Sequence, residues 1–171
     1  MHIIIDGYNL IRQSDTLRPI ERAALEDGRK ALIHLLTEYK KRKGHTITVV
    51  FDGWQGGNFR EEQQKSAGVR VIYSRIGESA DEVIKRLVRA RRGEETLVVT
   101  SDREIRDATE RAGSVSMLSP DFEMRLLTAE HSLPADSDDE IDSGKRGSGK
   151  KGPARRLSKR EKKARHRFQK I

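Results

Sequence analysis

Three aspartates close three apolar runs. Asp6 follows HIII (His2 to Ile5), Asp52 follows TITVVF (Thr46 to Phe51), and Asp102 lies just past TLVVT (Thr96 to Thr100). Continuous β-branched runs of this kind read as buried parallel strands. In an open parallel sheet the carboxyl ends of the strands share one edge, and ligands bind in the crevice outside it. Three acids on that edge crowd negative charge, which is costly unless protons or a cation relieve it. A hard divalent cation with oxygen ligands, Mg²⁺ or Mn²⁺, is the natural counter-charge. Such ions serve phosphodiester chemistry by activating water and neutralising the charge that develops.

The helix starts add a fourth acid. Ser79-Ala80-Asp81-Glu82 and Ser101-Asp102-Arg103-Glu104 both have the spacing of a capping box. In each, the serine is expected to cap and the glutamate to reach back. The aspartate between them then has no local task and is stabilised as an anion by the helix dipole. Asp81 and Asp102 are thereby expected to face the crevice with Asp6, and Asp52 to assist. Around them, Asn9 is either an Asx-turn residue or a substrate contact. Trp54 and Tyr8 lie either at the core edge or under a stacked base. Arg12 and Arg103 are either solvated or on a phosphate, and Ser101, more a cap than a nucleophile, borders the same crevice.

Other chemistries fail on spacing. After the first run the sequence is Asp6-Gly7-Tyr8-Asn9, not G-x-G-x-x-G, and no P-loop is present, so no nucleotide cofactor is expected. An aspartate phosphotransferase would want a second Asp where Tyr8 stands. No G-x-S-x-G elbow occurs, and no histidine spacing suits zinc.

These residues need a doubly wound α/β frame to meet. A loop is expected from Asp6 to Arg18. Pro19 suits a first helical turn, and Ile20, Ala24, Ala31, Leu32, Leu35, Leu36 and Tyr39 keep helical spacing up to Gly44. Gly53 to Asn58 is rich in turn residues. A short helix is expected over Phe59 to Ala67 and a near-edge strand over Val69 to Ser74. Helices follow Ser79 and Ser101, a fifth strand covers Ser114 to Leu118, and a last helix runs from Ser119 through Leu127. The expectation is a mostly parallel five-stranded sheet with helices on both faces.

Charge divides the chain. The net is +8, yet residues 1–130 hold 22 Lys+Arg against 21 Asp+Glu. Residues 131–143 hold five acids and no Lys or Arg, and residues 144–171 hold 13 Lys+Arg and one Glu. Two regions follow: a nearly neutral domain over 1–130 and an acidic-then-basic tail over 131–171, whose composition favours disorder. The basic end suits a polyanion such as RNA, with a solvated tail as the bland reading. There is no cysteine, so disulfides and thiolate sites are excluded. No apolar stretch has the length of a membrane span and no signal peptide is expected, which makes the cytoplasm the default location.

Four segments together resemble one family. IDGYNL (Ile5 to Leu10 within it), VVFDG at 49–53, ESADE at 78–82 and VVTSDRE at 98–104 are similar to the YacP-like branch of the NYN domains, relatives of PIN-domain nucleases. The resemblance covers about residues 1–130 and leaves out the basic tail. It implies a PIN-like fold, metal-dependent endoribonuclease activity, and action on messenger RNA in association with ribosomes. Asp6, Asp81 and Asp102 match its acidic metal-site positions, and Asn9 and Asp52 its polar motif positions. Two rivals stand beside this reading: a non-catalytic RNA- or ribosome-binding adaptor, and a metal-dependent phosphatase of small substrates.

Overall fold

Five strands run parallel, and the central ones are apolar on both faces. The computed structural model describes residues 1–53 and 60–131. Its elements are β1 (His2–Asp6), α1 (Gly7–Gln13), α2 (Leu17–Ala23), α3 (Leu25–Lys43), β2 (Thr46–Phe51), β3 (Glu62–Ser66), β4 (Val69–Tyr73), α4 (Ala80–Ala90), β5 (Thr96–Val99), α5 (Arg103–Arg111), β6 (Val115–Met117) and α6 (Ser119–His131). The sheet order is β3-β4-β2-β1-β5-β6. Only β3 is antiparallel, to β4. Every residue of β1 and β5 is buried, as strands covered on both faces require.

Alternation along the strands assigns the faces. Ile4, Val50, Ile72 and Val98 pack with Ala80, Val83, Ile84 and Val88 of α4 and Ile105 of α5. On the other face α3 lies against β2 and β4, and α1 and α6 pack beside it. There Tyr39 of α3 meets Phe122 of α6 edge-on, with ring centroids 5.5 Å apart. From β1 the chain goes first to β2 and β4 on one side, then returns to β5 on the other. The switch point therefore lies between the carboxyl ends of β1 and β5, where a doubly wound sheet opens a binding crevice.

Four local expectations are corrected. The segment after Asp6 is not a loop to Arg18: α1 fills Gly7–Gln13 and α2 already begins at Leu17. Asp6 caps α1 by accepting from the Asn9 N–H (3.1 Å), and Tyr8, Leu10 and Ile11 are buried on its inner side. The long helix expected up to Gly44 breaks at Ala24, which is extended (φ −155°, ψ 120°). The break lets α2 fold back on α3. A Cβ on Gly28 would stand 2.8 Å from the Glu21 Cα, so the two backbones touch there. Gly44 does end α3, in the left-handed region (φ 67°), with its N–H on the Lys40 carbonyl.

Of the helix expected over Phe59 to Ala67, Phe59 lies outside the described residues and Glu62–Ser66 form β3 instead, which makes the sheet six-stranded. Ala67 (φ 47°) and Gly68 (φ 87°) form a turn with two left-handed residues, the geometry that matches the twist of a tight hairpin. All five β3 side chains are exposed, so no apolar period marked it. The pairing edge of β4 decided it.

The two capping boxes expected from spacing form differently in the structure. At α4 the box is complete: Ser79 accepts from the Glu82 N–H and Glu82 from the Ser79 N–H. At α5 it is absent. Asp102 itself is the N-cap, accepting from the Ile105 N–H at 3.0 Å. Glu104 turns instead to Lys85 of α4, at 2.5 Å.

Candidate active site

The carboxyl edge of the sheet gathers four aspartates from four segments: the end of β1, the residue after β2, the first turn of α4 and the N-cap of α5. Asp6 ends β1 and is 7 % exposed. One of its oxygens takes the Asn9 N–H (3.1 Å) and the other the Thr100 hydroxyl (3.2 Å). Burial raises its pKa to about 6; the two hydrogen bonds oppose this, and the charges of Asp81 and Asp52 add to it. Asp81, half-buried in the first turn of α4, is also raised. Burial leads, then the Asp102 charge, while Lys85 pulls the other way. Asp52 is exposed and accepts from the Ala80 N–H at 2.7 Å, so it sits on the start of α4. Asp102 is half-buried at the start of α5.

Position, not sequence spacing, holds the carboxylates there. The Thr100 hydroxyl donates to Asp6 and accepts from the Asp102 N–H (3.1 Å), linking the two acids across the switch point. Asn9 links three segments. Its carboxamide oxygen accepts from the Ser101 N–H (2.9 Å), the Ser119 hydroxyl (2.7 Å) and the Gln13 side chain (3.2 Å). Ser101 completes this lattice by donating to Gln13 (2.7 Å) and accepting from the Ser119 N–H (3.3 Å). Thr100, Gln13 and Ser119 escaped the sequence reading. Thr100 is the last residue of its apolar run, and Ser119 reads only as the opening of a helix.

The remaining candidates divide. Tyr8 is 7 % exposed, and its ring meets Phe51 edge-on, 5.1 Å away. Arg12 lies over that ring at 5.1 Å and pairs with Glu21 at 3.3 Å. Arg103 is exposed in the first turn of α5. Trp54 and the tail lie outside the described residues.

The chemistry of a divalent cation can be tested on this donor set. Among the described residues, no three His, Cys, Asp or Glu side chains converge as a ready-made metal cluster. The acids do couple electrostatically. Both hold, because like charges interact over longer distances than a coordination bond spans. One oxygen each of Asp52 and Asp102 is committed to a helix N–H. Lys85, the cation that pulls on Asp81, is itself drawn to Glu104. The residues fit a hard cation in donor type and in uncompensated charge, with side-chain movement needed to bring the oxygens to one point. Among the described residues no helix is long and apolar enough to cross a membrane.

Comparison with known proteins gives one consistent result. The profile of the YacP-like NYN domain matches residues 3–170. The uncharacterized protein YacP of Bacillus subtilis (strain 168) is 33 % identical over 88 residues, 52 % of this chain and 51 % of that protein. The match thus spans about half the length of that curated relative. The crystal structure of Rae1 (YacP) from Bacillus subtilis superposes with a TM-score of 0.65 at 27 % identity, covering 76 % of this chain and 75 % of that one. A mutant form of Rae1 gives 0.63 at 28 % identity, with 76 % of each chain covered.

Proposed function

Since the chain belongs to the YacP-like NYN domain family, a PIN-like nuclease family, we propose that it is a metal-dependent endoribonuclease hydrolysing single-stranded RNA. Cytoplasmic messenger RNA, met on or near the ribosome, is the substrate this reading favours. The observation that carries it is the gathering of Asp6, Asp52, Asp81 and Asp102 at the switch point, with the carboxyls of Asp6 and Asp81 raised by burial and by their neighbours' charge.

In this reading Asp6, Asp81 and Asp102 hold Mg²⁺ or Mn²⁺ and Asp52 assists. Held there, such an ion would supply activation of water and a counter-charge for the phosphodiester. The protein's own part is positional. Thr100 and Asn9 clamp the Asp6 carboxylate from both sides. The Asn9–Ser101–Ser119 lattice keeps the α5 start, and Asp102 with it, beside β1. Asp6 carries a proton below about pH 6, so ligand strength falls in acid. The 13 Lys+Arg of residues 144–171 add non-specific hold on RNA.

Purified protein and an unstructured RNA test the proposal. Cleavage is expected with Mg²⁺ or Mn²⁺, none in EDTA, and none for Asp6→Asn or Asp102→Asn. Products should carry 5′-phosphate and 3′-hydroxyl ends, because attack by water needs no 2′-hydroxyl. Undiminished cleavage in EDTA, or 2′,3′-cyclic phosphate ends, would overturn it. A protein that binds RNA and never cuts it, with or without ribosomes, is the adaptor.

A further inference from the structure

On the face opposite α4, two guanidinium groups share one tyrosine ring. Arg12 at the end of α1 and Arg29 in α3 lie 5.1 and 5.8 Å from the Tyr8 ring centroid. Arg29 also lies 5.6 Å from the Tyr73 ring. Both rings rest on Phe51, Tyr8 edge-on at 5.1 Å and Tyr73 stacked at 5.8 Å. Phe51 is fully buried and fixes this platform at the carboxyl ends of β2 and β4, where it is the register partner of Tyr73.

Each cation has a carboxylate beside it: Arg12 pairs with Glu21 at 3.3 Å and Arg29 with Glu26 at 3.2 Å. The Arg29 side chain is 15 % exposed; among the described residues its ion-pair partner is Glu26, whose side chain is 58 % exposed, and it also hydrogen-bonds the Tyr8 and Tyr73 side chains. The Arg29 Nε is buried with no hydrogen-bond partner among the described residues. Removing a guanidinium from water and leaving an N–H unbonded both cost free energy. Packing on two rings returns part of that cost, and a second cation beside the first adds to it. Two planar guanidinium groups on an aromatic platform suit an anion that accepts several hydrogen bonds, and a phosphodiester is such a group.

Placement supplies the substrate. Tyr8 is two residues beyond Asp6, and Phe51 directly precedes Asp52. Asp6 and Asp52 share the alternation of Ile4 and Val50, which face α4, whereas Phe51 alternates to the other side. A chain crossing the carboxyl edge of the sheet therefore meets acids on one side and arginines on the other. We propose that Arg29 and Arg12, mounted on Tyr8 and Tyr73, form a subsite for a backbone phosphate of single-stranded RNA next to the one being cut. The assignment rests on the nuclease reading for its substrate, and its test reads binding without cleavage.

The test uses the full chain in EDTA with a fluorescent, unstructured RNA of about six nucleotides, within the range one such groove spans, followed by anisotropy over a salt series. Arg29→Met should weaken binding about tenfold and lower the log–log salt slope by about 0.7, the increment for one phosphate contact on a single strand. Arg29→Lys should keep the slope and lose part of the affinity, because an ammonium is a point charge without the planar fork. Arg12→Met, at a side chain 64 % exposed, should lower the slope by a similar step with an unchanged melting temperature. Arg42→Met, in the last turn of α3, should change neither. If Arg29→Met proves unfolded, Arg12→Met decides. An Arg12→Met protein with unaltered affinity and slope overturns the subsite, as does a folded Arg29→Met protein that binds like the parent. The nuclease reading fails separately, by absence of cleavage in metal while these binding differences persist.

Discussion

The Thr100 hydroxyl donates to the Asp6 carboxylate at 3.2 Å while accepting from the Asp102 backbone N–H at 3.1 Å. One buried hydroxyl thus ties together two acids that are 96 positions apart in the chain. It also holds down the Asp6 pKa against burial. Thr100→Val keeps the shape and removes the tie. Loss of a buried hydrogen bond should cost about 1–2 kcal/mol of stability. The acid limb of the pH–rate profile should also move to higher pH, so that the variant loses more activity at pH 6 than at pH 8. A uniform loss at every pH would show that Thr100 serves folding alone.

Asp6 should lower stability at neutral pH. Its folded pKa is raised to about 6 from 3.8. Between these values the native state holds a proton that the unfolded chain has released, so stability is lost as pH rises through the window. At one pKa unit per 1.36 kcal/mol, the deficit above pH 6 is about 3 kcal/mol. Asp6→Asn keeps an oxygen for the Asn9 N–H. In EDTA it should unfold at higher urea than the parent at pH 8, and the two should converge near pH 4. A less stable Asp6→Asn protein at pH 8 would contradict the assigned shift.

His2 acts with the opposite sign at the other end of the same strand. It is buried, its Nε2 lies 2.9 Å from the Thr48 hydroxyl, and burial followed by the Arg91 charge lowers its pKa to about 4. The unfolded imidazole binds a proton near pH 6.5 and the native one does not, so stability falls as pH drops from about 6.5 towards 4. His2→Gln should flatten that acid loss in urea titrations. In the parent, Asp6 gains over part of this window and masks the loss. The acid loss should therefore be steeper in Asp6→Asn than in the parent, and equal slopes would refute the pairing.

Gly7→Ala should be harsher than Gly44→Ala. A Cβ at Gly7 would stand 2.3 Å from the Phe51 ring, while one at Gly44 meets nothing within 4 Å and strains only its φ of 67°. Overpacking beneath α1 should cost about 1–3 kcal/mol and displace Asp6, lowering activity as well. The strained cap should cost about 1 kcal/mol and leave activity intact. Urea midpoints and cleavage rates of the two variants check both halves.

The family motifs, the buried strands and the acids at their ends were legible because each depends on local chemistry. β-Branched runs bury on both faces whatever follows, and Asp6, Asp52, Asp81 and Asp102 keep fixed offsets from strands and helix starts. The resemblance in IDGYNL and VVTSDRE reads the same offsets. What the sequence left open was settled by partners far away in the chain. β3 has only exposed side chains and became a strand because β4 offered an unpaired edge. Ser101 fits a cap by spacing, yet Asp102 took that task, because Asn9 and Gln13 claimed the Ser101 N–H and hydroxyl across more than 80 residues. Arg29 carries no signal of its own in the sequence, and α3 lays it on Tyr8 and Tyr73. Periodicity records which way a side chain faces in its own element, and only the packed structure decides which other element it meets.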